Sequence, residues 1–281
     1  MRLGHLGPAG TFTEEAARPA AEAAGAELVP YPTVPDTVAA VLAGEVDAAL
    51  APIENSLEGT VTATVDALSA EPRLRMVGEE VLAITQCLIA REAVELAAIE
   101  EVRSHPQGLA QAARFLREQL PAARLVPTGS TAEAVRSLDG PHAAAIASRA
   151  AAALHGGVVL REGVEDEPGN ATRFAWLALE GAAAFPPPRD DARWRTSVLF
   201  SGTGDVTPGW LVRCLAELAS REVNLVKIES RPARSRLGHY LFLADCEGRD
   251  DQPAVREALE ALRGHCDRVR VLGSYPAAPS P

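Results

Sequence analysis

In GNATRF, Gly169 to Phe174, an amide (Asn170), a hydroxyl (Thr172), a guanidinium (Arg173) and an aromatic ring (Phe174) follow a turn opened by Pro168 and Gly169. A strand starting near Ala171 would set Thr172 and Phe174 on one face and Arg173 on the other, so the hydroxyl and the guanidinium have different jobs. Thr172 is the candidate reactive-centre residue, a hydroxyl that can hydrogen-bond a reacting group. The plainer reading makes Thr172 a β-former at a strand start and Arg173 a surface charge, and these six residues alone do not separate the two.

Three further segments carry chemistry of the same kind: GPAGTFTEEAA (Gly7 to Ala17), PIENSLEGTV (Pro52 to Val61) and SHPQGLAQ (Ser104 to Gln111). Each loop delivers small polar residues straight into a helix. Thr11 with Glu14, and Ser130 with Glu133, have capping-box spacing, and Pro106 suits a first helical turn. Free backbone N–H groups and the positive helix end suit carboxylates, although each junction taken singly is an ordinary cap. Asn55, Ser56 and Thr60 lie where a strand ends, the edge at which α/β sheets bind ligands, and equally where a polar turn bonds its own backbone. His105, before a proline and without a carboxylate neighbour to orient it, reads as a loop residue.

The chain has 281 residues, 47% of them hydrophobic, enough to bury a full core without disulfides or metals. A net charge of −11 argues against nucleic acid, while leaving room for an anionic small substrate met by local arginines and helix ends. Lys227 is the only lysine, which nearly excludes Schiff-base chemistry. The four cysteines, Cys87, Cys214, Cys246 and Cys266, are scattered in apolar contexts that favour inert buried thiols and a reducing cytosol. The six histidines form no metal-ligand pattern. No window has the length of a secretory or membrane-spanning run, so the protein is expected to be soluble and cytoplasmic, with no membrane partner and neither metal nor cofactor.

These residues need elements to position them. Short β-rich runs alternate with helical ones: Arg2 to Leu6, Thr13 to Ala24, Ala26 to Tyr31, Pro35 to Ala43 and Val46 to Ala51, a βαβαβ pattern and hence an α/β sheet. A helix over Thr60 to Ser69, with Val61, Val65 and Leu68 as its apolar face, leads to a strand over Val81 to Ala90. A helix over Pro106 to Gln119, a strand near Arg124 to Val126, a helix from Ala132 and a strand over Ala143 to Ala147 imply a second lobe. The strand over Arg173 to Leu179 is expected to return to the first. Residues 181–194, with Pro186, Pro187 and Pro188, lack periodicity and read as a linker. Beyond them, strands at Thr196 to Ser201, Asn224 to Ser230, His239 to Cys246 and Arg268 to Ser274, with helices at Gly209 to Arg221 and Pro253 to His265, spell βαββαβ, a ferredoxin-like sandwich. The tail, Pro276 to Pro281, is expected to lack order.

Taken together, the four segments resemble the prephenate dehydratase family, whose members convert prephenate to phenylpyruvate with loss of water and carbon dioxide. The resemblance spans nearly the whole chain and includes the family's regulatory ACT domain, with its ESRP signature at Glu229, Ser230, Arg231 and Pro232. It implies an α/β catalytic domain over residues 1–180, built as two lobes of the periplasmic-binding-protein type (type II), lobe one 1–77 with 161–180 and lobe two 78–160. A C-terminal ferredoxin-like βαββαβ ACT domain follows over 195–275. By the resemblance, Thr172 is the catalytic group, and Thr11, Asn55, Ser56, Thr60, Ser104, Gln111, Asn170, Arg173 and Phe174 line or support the cleft for prephenate. L-Phenylalanine is the implied effector, bound between Gly209, Trp210, Leu211, Val212 and the ESRP strand at a subunit interface of a homodimer or homotetramer. Trp210 departs from the family's small residue and is expected either to fill the effector pocket or to pack elsewhere in the dimer. Arogenate dehydratase would use the same motifs on the amino analogue. The prephenate decarboxylase branch lacks the TRF threonine and often the ACT domain, both present here. A noncatalytic intracellular sensor of an anion or amino acid is the alternative from another class.

Overall fold

The computed structural model describes residues 1–189, 191–202, 207–233 and 238–279. The last two residues of the tail therefore lie outside the described residues. The chain divides into two compact units, Met1–Val61 with Val81–Phe174, and Thr62–Glu80 with the chain from Ala175 onward.

The first unit opens with the βαβαβ pattern that the sequence spells: β1 (Arg2–Leu6), α1 (Phe12–Ala24), β2 (Glu27–Tyr31), α2 (Val34–Ala43) and β3 (Ala48–Asn55). β1 pairs in parallel with both β2 and β3, as helical crossovers between them allow. The capping spacing is realised: the Glu14 N–H donates to Thr11 Oγ1 (3.4 Å), and Glu14 Oε2 reaches back to accept from the Gly10 N–H (2.6 Å). Thr33 caps α2 in the same way, accepting from the Asp36 N–H (3.2 Å). After a two-residue strand, β4 (Gly59–Thr60), the chain passes into the second unit with α3 (Thr62–Ala70) and most of β5 (Leu74–Ala83). The helix expected from Thr60 thus starts two residues later, because Thr60 pairs with Glu54 of β3.

β6 (Cys87–Ala90), β7 (Glu101–Ser104), β8 (Arg124–Pro127), β9 (Ala143–Ala147) and β10 (Val158–Glu162) form a five-stranded mixed sheet in the order β10-β6-β9-β7-β8. Its inner strands β6 and β9 are apolar on both faces. Cys87, Ile89, Ala143, Ala145 and Ala147 cluster with α6 (Thr131–Arg136) and α7 (Arg149–His155), while Leu88, Val102, Ala144 and Ile146 cluster with Ala112, Leu116 and Leu120. This two-sided burial is what helices on both faces of a sheet demand.

Two expected elements are broken here, each by residues far away in sequence. The strand expected over Val81 to Ala90 is two strands, β5 and β6, because residues 84–86 bond elsewhere. The Ile84 N–H donates to Asn170 O (2.8 Å), and the Gln86 N–H donates to Glu165 Oε2 (2.9 Å). The helix expected over Pro106 to Gln119 is α4 (Pro106–Gln111) and α5 (Ala113–Gln119), broken at Ala112. There the Asp166 carboxylate accepts from the Arg114 and Phe115 N–H groups, a cap for α5, while the Asp166 N–H takes the Gln111 carbonyl (2.6 Å). β11 (Ala171–Leu179) joins the first sheet in the order β2-β1-β3-β11-β5.

In the second unit, β12 (Trp194–Ser201), α8 (Trp210–Ala219), β13 (Leu225–Pro232), β14 (Tyr240–Glu247), α9 (Pro253–Arg263) and β15 (Arg268–Pro276) follow the expected βαββαβ order. Their sheet runs β13-β14-β12-β15, with antiparallel pairing throughout, which is the ferredoxin-like arrangement. Phe200, Trp210, Cys214, Leu218, Leu259 and Leu262 build its core. Burial pushes the Cys246 thiol up to about 11 and Cys266 up to about 12, so neither is a thiolate at neutral pH. The proline-rich segment before β12 has no regular structure but is anchored. Phe185 meets Trp176 edge-on (4.8 Å between centroids), and its N–H donates to Val77 O (2.8 Å). A Cβ on Gly78 would overlap the Phe185 carbonyl oxygen. Gly78→Ala is therefore expected to cost about 2 kcal/mol or more in a thermal melt. A Tm within about 1 °C of the parent would contradict this packing.

Candidate active site

Thr172 is the second residue of β11, half-buried, and its Oγ1 accepts from Asn55 Nδ2 (3.0 Å). Asn55 ends β3 and is 7% exposed. Its amide cannot be turned round, because Oδ1 accepts from the Leu57 and Glu58 N–H groups (3.0 and 3.1 Å). The Nδ2 hydrogens are thereby committed to Thr172 Oγ1, to Asn170 Oδ1 (2.8 Å) and to the Ala171 carbonyl (3.3 Å). Both readings of the PIENS turn hold at once. One atom of Asn55 bonds its own loop, and the other reaches the GNATRF strand.

Around that pair the polar network continues. Ser56 exchanges bonds with Ala171: its N–H donates to Ala171 O (2.9 Å) and its Oγ accepts from the Ala171 N–H (2.9 Å). The Ser56 hydroxyl also donates to Asn170 Oδ1 (3.4 Å). Asn170 Nδ2 donates to Gln111 Oε1 (3.3 Å), and Gln111 Nε2 donates to Glu58 Oε1 (3.3 Å). Gln111 can reach these groups because α4 stops there, at the break that Asp166 caps. Arg173, 8% exposed, pairs through Nε with Glu54 Oε2 (3.1 Å) on the neighbouring strand. That is not the surface charge of the plainer reading.

The structure thus brings Asn55, Ser56, Gln111, Asn170 and Thr172 into one hydrogen-bonded set. Four other expected residues serve nearby structure. Thr11 caps α1 and donates to Leu6 O (3.0 Å), and Thr60 sits in β4 opposite Glu54. Ser104 is fully buried and donates to Ile146 O (2.6 Å), and Phe174 is in the core at 1% exposure. His105 caps α4, its Nδ1 accepting from the Gln107 N–H (3.2 Å). Three participants were missed from the sequence: Glu54, Glu58 and Gln86. The first two stand inside PIENSLEGTV, and Gln86 is an isolated amide in the apolar run VLAITQCLIA. A polar residue inside an apolar run was the available signal.

Burial dominates the titrating groups near the GPAGTF segment. It pushes His5 down, favouring the neutral ring, and pushes the Glu15 carboxyl up. Among the described residues, no group of three His, Cys, Asp or Glu side chains is arranged to hold a metal ion. A cavity of about 1060 Å³ within the second unit is lined by Glu79, Glu80, Trp194 and Arg195 and contains none of the signature residues.

The effector candidates all lie in the second unit. Gly209 takes a left-handed φ of 77° at the start of α8. Trp210 is 5% exposed, its indole N–H donating to His265 O (2.7 Å) beside Phe200 and Phe242. Its ring belongs to its own domain's core. Leu211 is partly buried and Val212 is 70% exposed. Glu229, Ser230, Arg231 and Pro232 form the end of edge strand β13, and Arg231 Nη2 pairs with Asp66 Oδ1 of α3 (3.1 Å).

The family model for prephenate dehydratase matches residues 3–182. A protein from Mycobacterium bovis (strain BCG / Pasteur 1173P2) named prephenate dehydratase is 40% identical, over 100% of this chain and 88% of its own length. The crystal structure of a prephenate dehydratase from Arthrobacter aurescens in complex with L-Phe is similar, with a TM-score of 0.87 and 40% identity, covering 98% of this chain and 90% of that one. A structure described as GqqA, a novel type of quorum quenching acylase, has a TM-score of 0.85 and 31% identity, covering 99% of each chain.

Proposed function

The chain belongs to the prephenate dehydratase family, and on that premise we propose how its residues divide the work of the reaction. The enzyme is a carbon–oxygen lyase that converts prephenate to phenylpyruvate, water and carbon dioxide. Breaking the ring C–OH bond needs a proton on the leaving oxygen, and the electrons of the departing carboxylate close the aromatic ring. Aromatisation drives the reaction, so the protein's tasks are to hold a dianion and deliver one proton.

Thr172 performs that delivery. The carrying observation is the fixed amide of Asn55: because Nδ2 donates to Thr172 Oγ1, the threonine proton is left to point elsewhere, toward the substrate hydroxyl. A threonine is too weak an acid to act freely. The donated bond stabilises the developing charge on Oγ1 while its proton leans toward the departing oxygen. Asn170, Ser56 and Gln111 hold that arrangement, and Arg173 steadies the strand through Glu54. Thr11, Thr60, Ser104 and Phe174 shape the surrounding cleft. The catalytic domain spans 1–180, and the site is cytoplasmic. Purified protein given prephenate should develop the alkaline ultraviolet absorbance of phenylpyruvate; its absence overturns the reading. Arogenate run alongside should be turned over more slowly, and the quorum-quenching relative is answered by an acyl-amide substrate left intact.

Residues 195–275 act as an ACT domain that binds L-phenylalanine, a reading supported by their ferredoxin-like topology and by the L-Phe complex of the Arthrobacter aurescens relative. Trp210 faces the core, so the start of α8 would offer its backbone and Val212 to the ligand, opposite Glu229 to Pro232. β13 is a sheet edge with Val226 and Ile228 each 41% exposed, a surface suited to pairing with a second copy in a homodimer or homotetramer. Calorimetry with L-phenylalanine should register binding, with slowed dehydration at the same concentration. No heat and no inhibition would remove the effector assignment.

A further inference from the structure

The amides around Thr172 share one polarity, and it is set from the backbone outward. The Leu57 and Glu58 N–H groups fix Asn55 Oδ1, so Asn55 Nδ2 faces Asn170 Oδ1. Asn170 must then turn Nδ2 toward Gln111 Oε1. The far end is fixed as well, because Gln111 Nε2 meets the Glu58 carboxylate, which only accepts. Gln111 Oε1 can take its remaining partner only from a donor, and that donor is Gln86 Nε2 (3.2 Å). The consequence falls on Gln86. Its side chain is buried at 3% exposure, yet its Oε1 has no hydrogen-bond partner among the described residues. Turning the amide round would set oxygen against oxygen at Gln111, so the orphan atom is the cost of the network's direction.

We propose that Gln86 is a positioning residue of the dehydration, holding the Gln111 side chain in place and, through it, Asn170 against the Asn55 amide, whose fixed direction leaves the Thr172 proton for the substrate. This rests on the Thr172 reading above. The main chain of Gln86 is held independently, its N–H by Glu165 Oε2 (2.9 Å) and its carbonyl by the Val164 N–H (3.1 Å), so a changed side chain need not move the strand break.

Two variants test the idea, Gln86→Glu and Gln86→Met, with kcat and KM for prephenate measured from about pH 5 to pH 8. An ionised carboxylate facing Gln111 Oε1 repels it, whereas a protonated one donates as the amide did. Q86E should therefore lose about tenfold or more in kcat at pH 8 with KM changed less than about threefold, and should recover relative to the parent as pH falls. Q86M, which has neither donor nor orphan oxygen, should lose about tenfold at every pH while melting no lower than the parent. A residue that merely filled space would give Q86E no pH-dependent deficit. A constant Q86E-to-parent ratio, or Q86M within about twofold of the parent, overturns the proposal, and the Q86M arm decides should Q86E fail to fold. A parent enzyme that leaves prephenate unchanged instead overturns the functional reading beneath it.

Discussion

Thr172→Val lowers kcat by about 10²–10⁴-fold and leaves KM within about threefold, the range expected when a positioned proton donor is removed. Valine keeps the β-branched shape that suits the start of β11, so the strand should survive the change. Asn55 Nδ2 loses one acceptor but keeps Asn170 Oδ1 and the Ala171 carbonyl, so no buried donor is stranded and the stability loss stays near about 1 kcal/mol. The deficit should lie in turnover because the hydroxyl matters most when the leaving oxygen gains charge. Thr172→Ser, which restores a hydroxyl, should recover part of the rate. Phenylpyruvate formation under saturating prephenate is the measurement, and undiminished turnover of T172V would remove Thr172 from the chemistry.

Asn55→Asp is the sharper test of the amide's direction, since it preserves volume and changes only what one atom can do. The new carboxylate can still accept from the Leu57 and Glu58 N–H groups, so the turn after β3 is retained. Its second oxygen, however, takes the place of the donor that sits 2.8 Å from Asn170 Oδ1 and 3.0 Å from Thr172 Oγ1. Thr172 must then spend its proton on that oxygen instead of on the substrate. The expected loss in kcat is about 10²-fold or more, comparable with losing a preorganised donor. Opposed oxygens at Asn170 should also cost about 1–3 kcal/mol in denaturant unfolding. Because both changes interrupt one device, N55D combined with T172V should be little slower than T172V alone. Fully additive losses in that cycle would mean that Asn55 acts on something other than Thr172.

The order of elements at the two ends of the chain was legible because its causes are local, whereas β7, α7 and β10 in between were not expected. β1 over Arg2–Leu6 and β9 over Ala143–Ala147 coincide with the strands expected there, and both are short apolar runs bounded by loop residues. Thr11 and Ser130 cap helices as their spacing suggests, since a capping bond joins residues three apart. The ferredoxin-like order of the second unit was likewise carried by periodicity and turns. The interruptions were not legible. Ala112 breaks a helix because Asp166 caps it, and residues 84–86 leave a strand because Asn170 and Glu165 take their N–H groups. The packing of Trp210 belongs to the same class, since only the fold sets its indole against His265 and Phe242.

By itself, the sequence determined the family, the order of elements at the two ends of the chain and the four polar residues that meet around Thr172, because side-chain types and their spacing carry those properties directly. Tertiary structure decided which atom of each amide faces which neighbour. Direction in such a network is imposed by the fixed donors of Leu57 and Glu58 at one end and the Glu58 carboxylate at the other, and it reaches Gln86 only across chain segments that folding brings together.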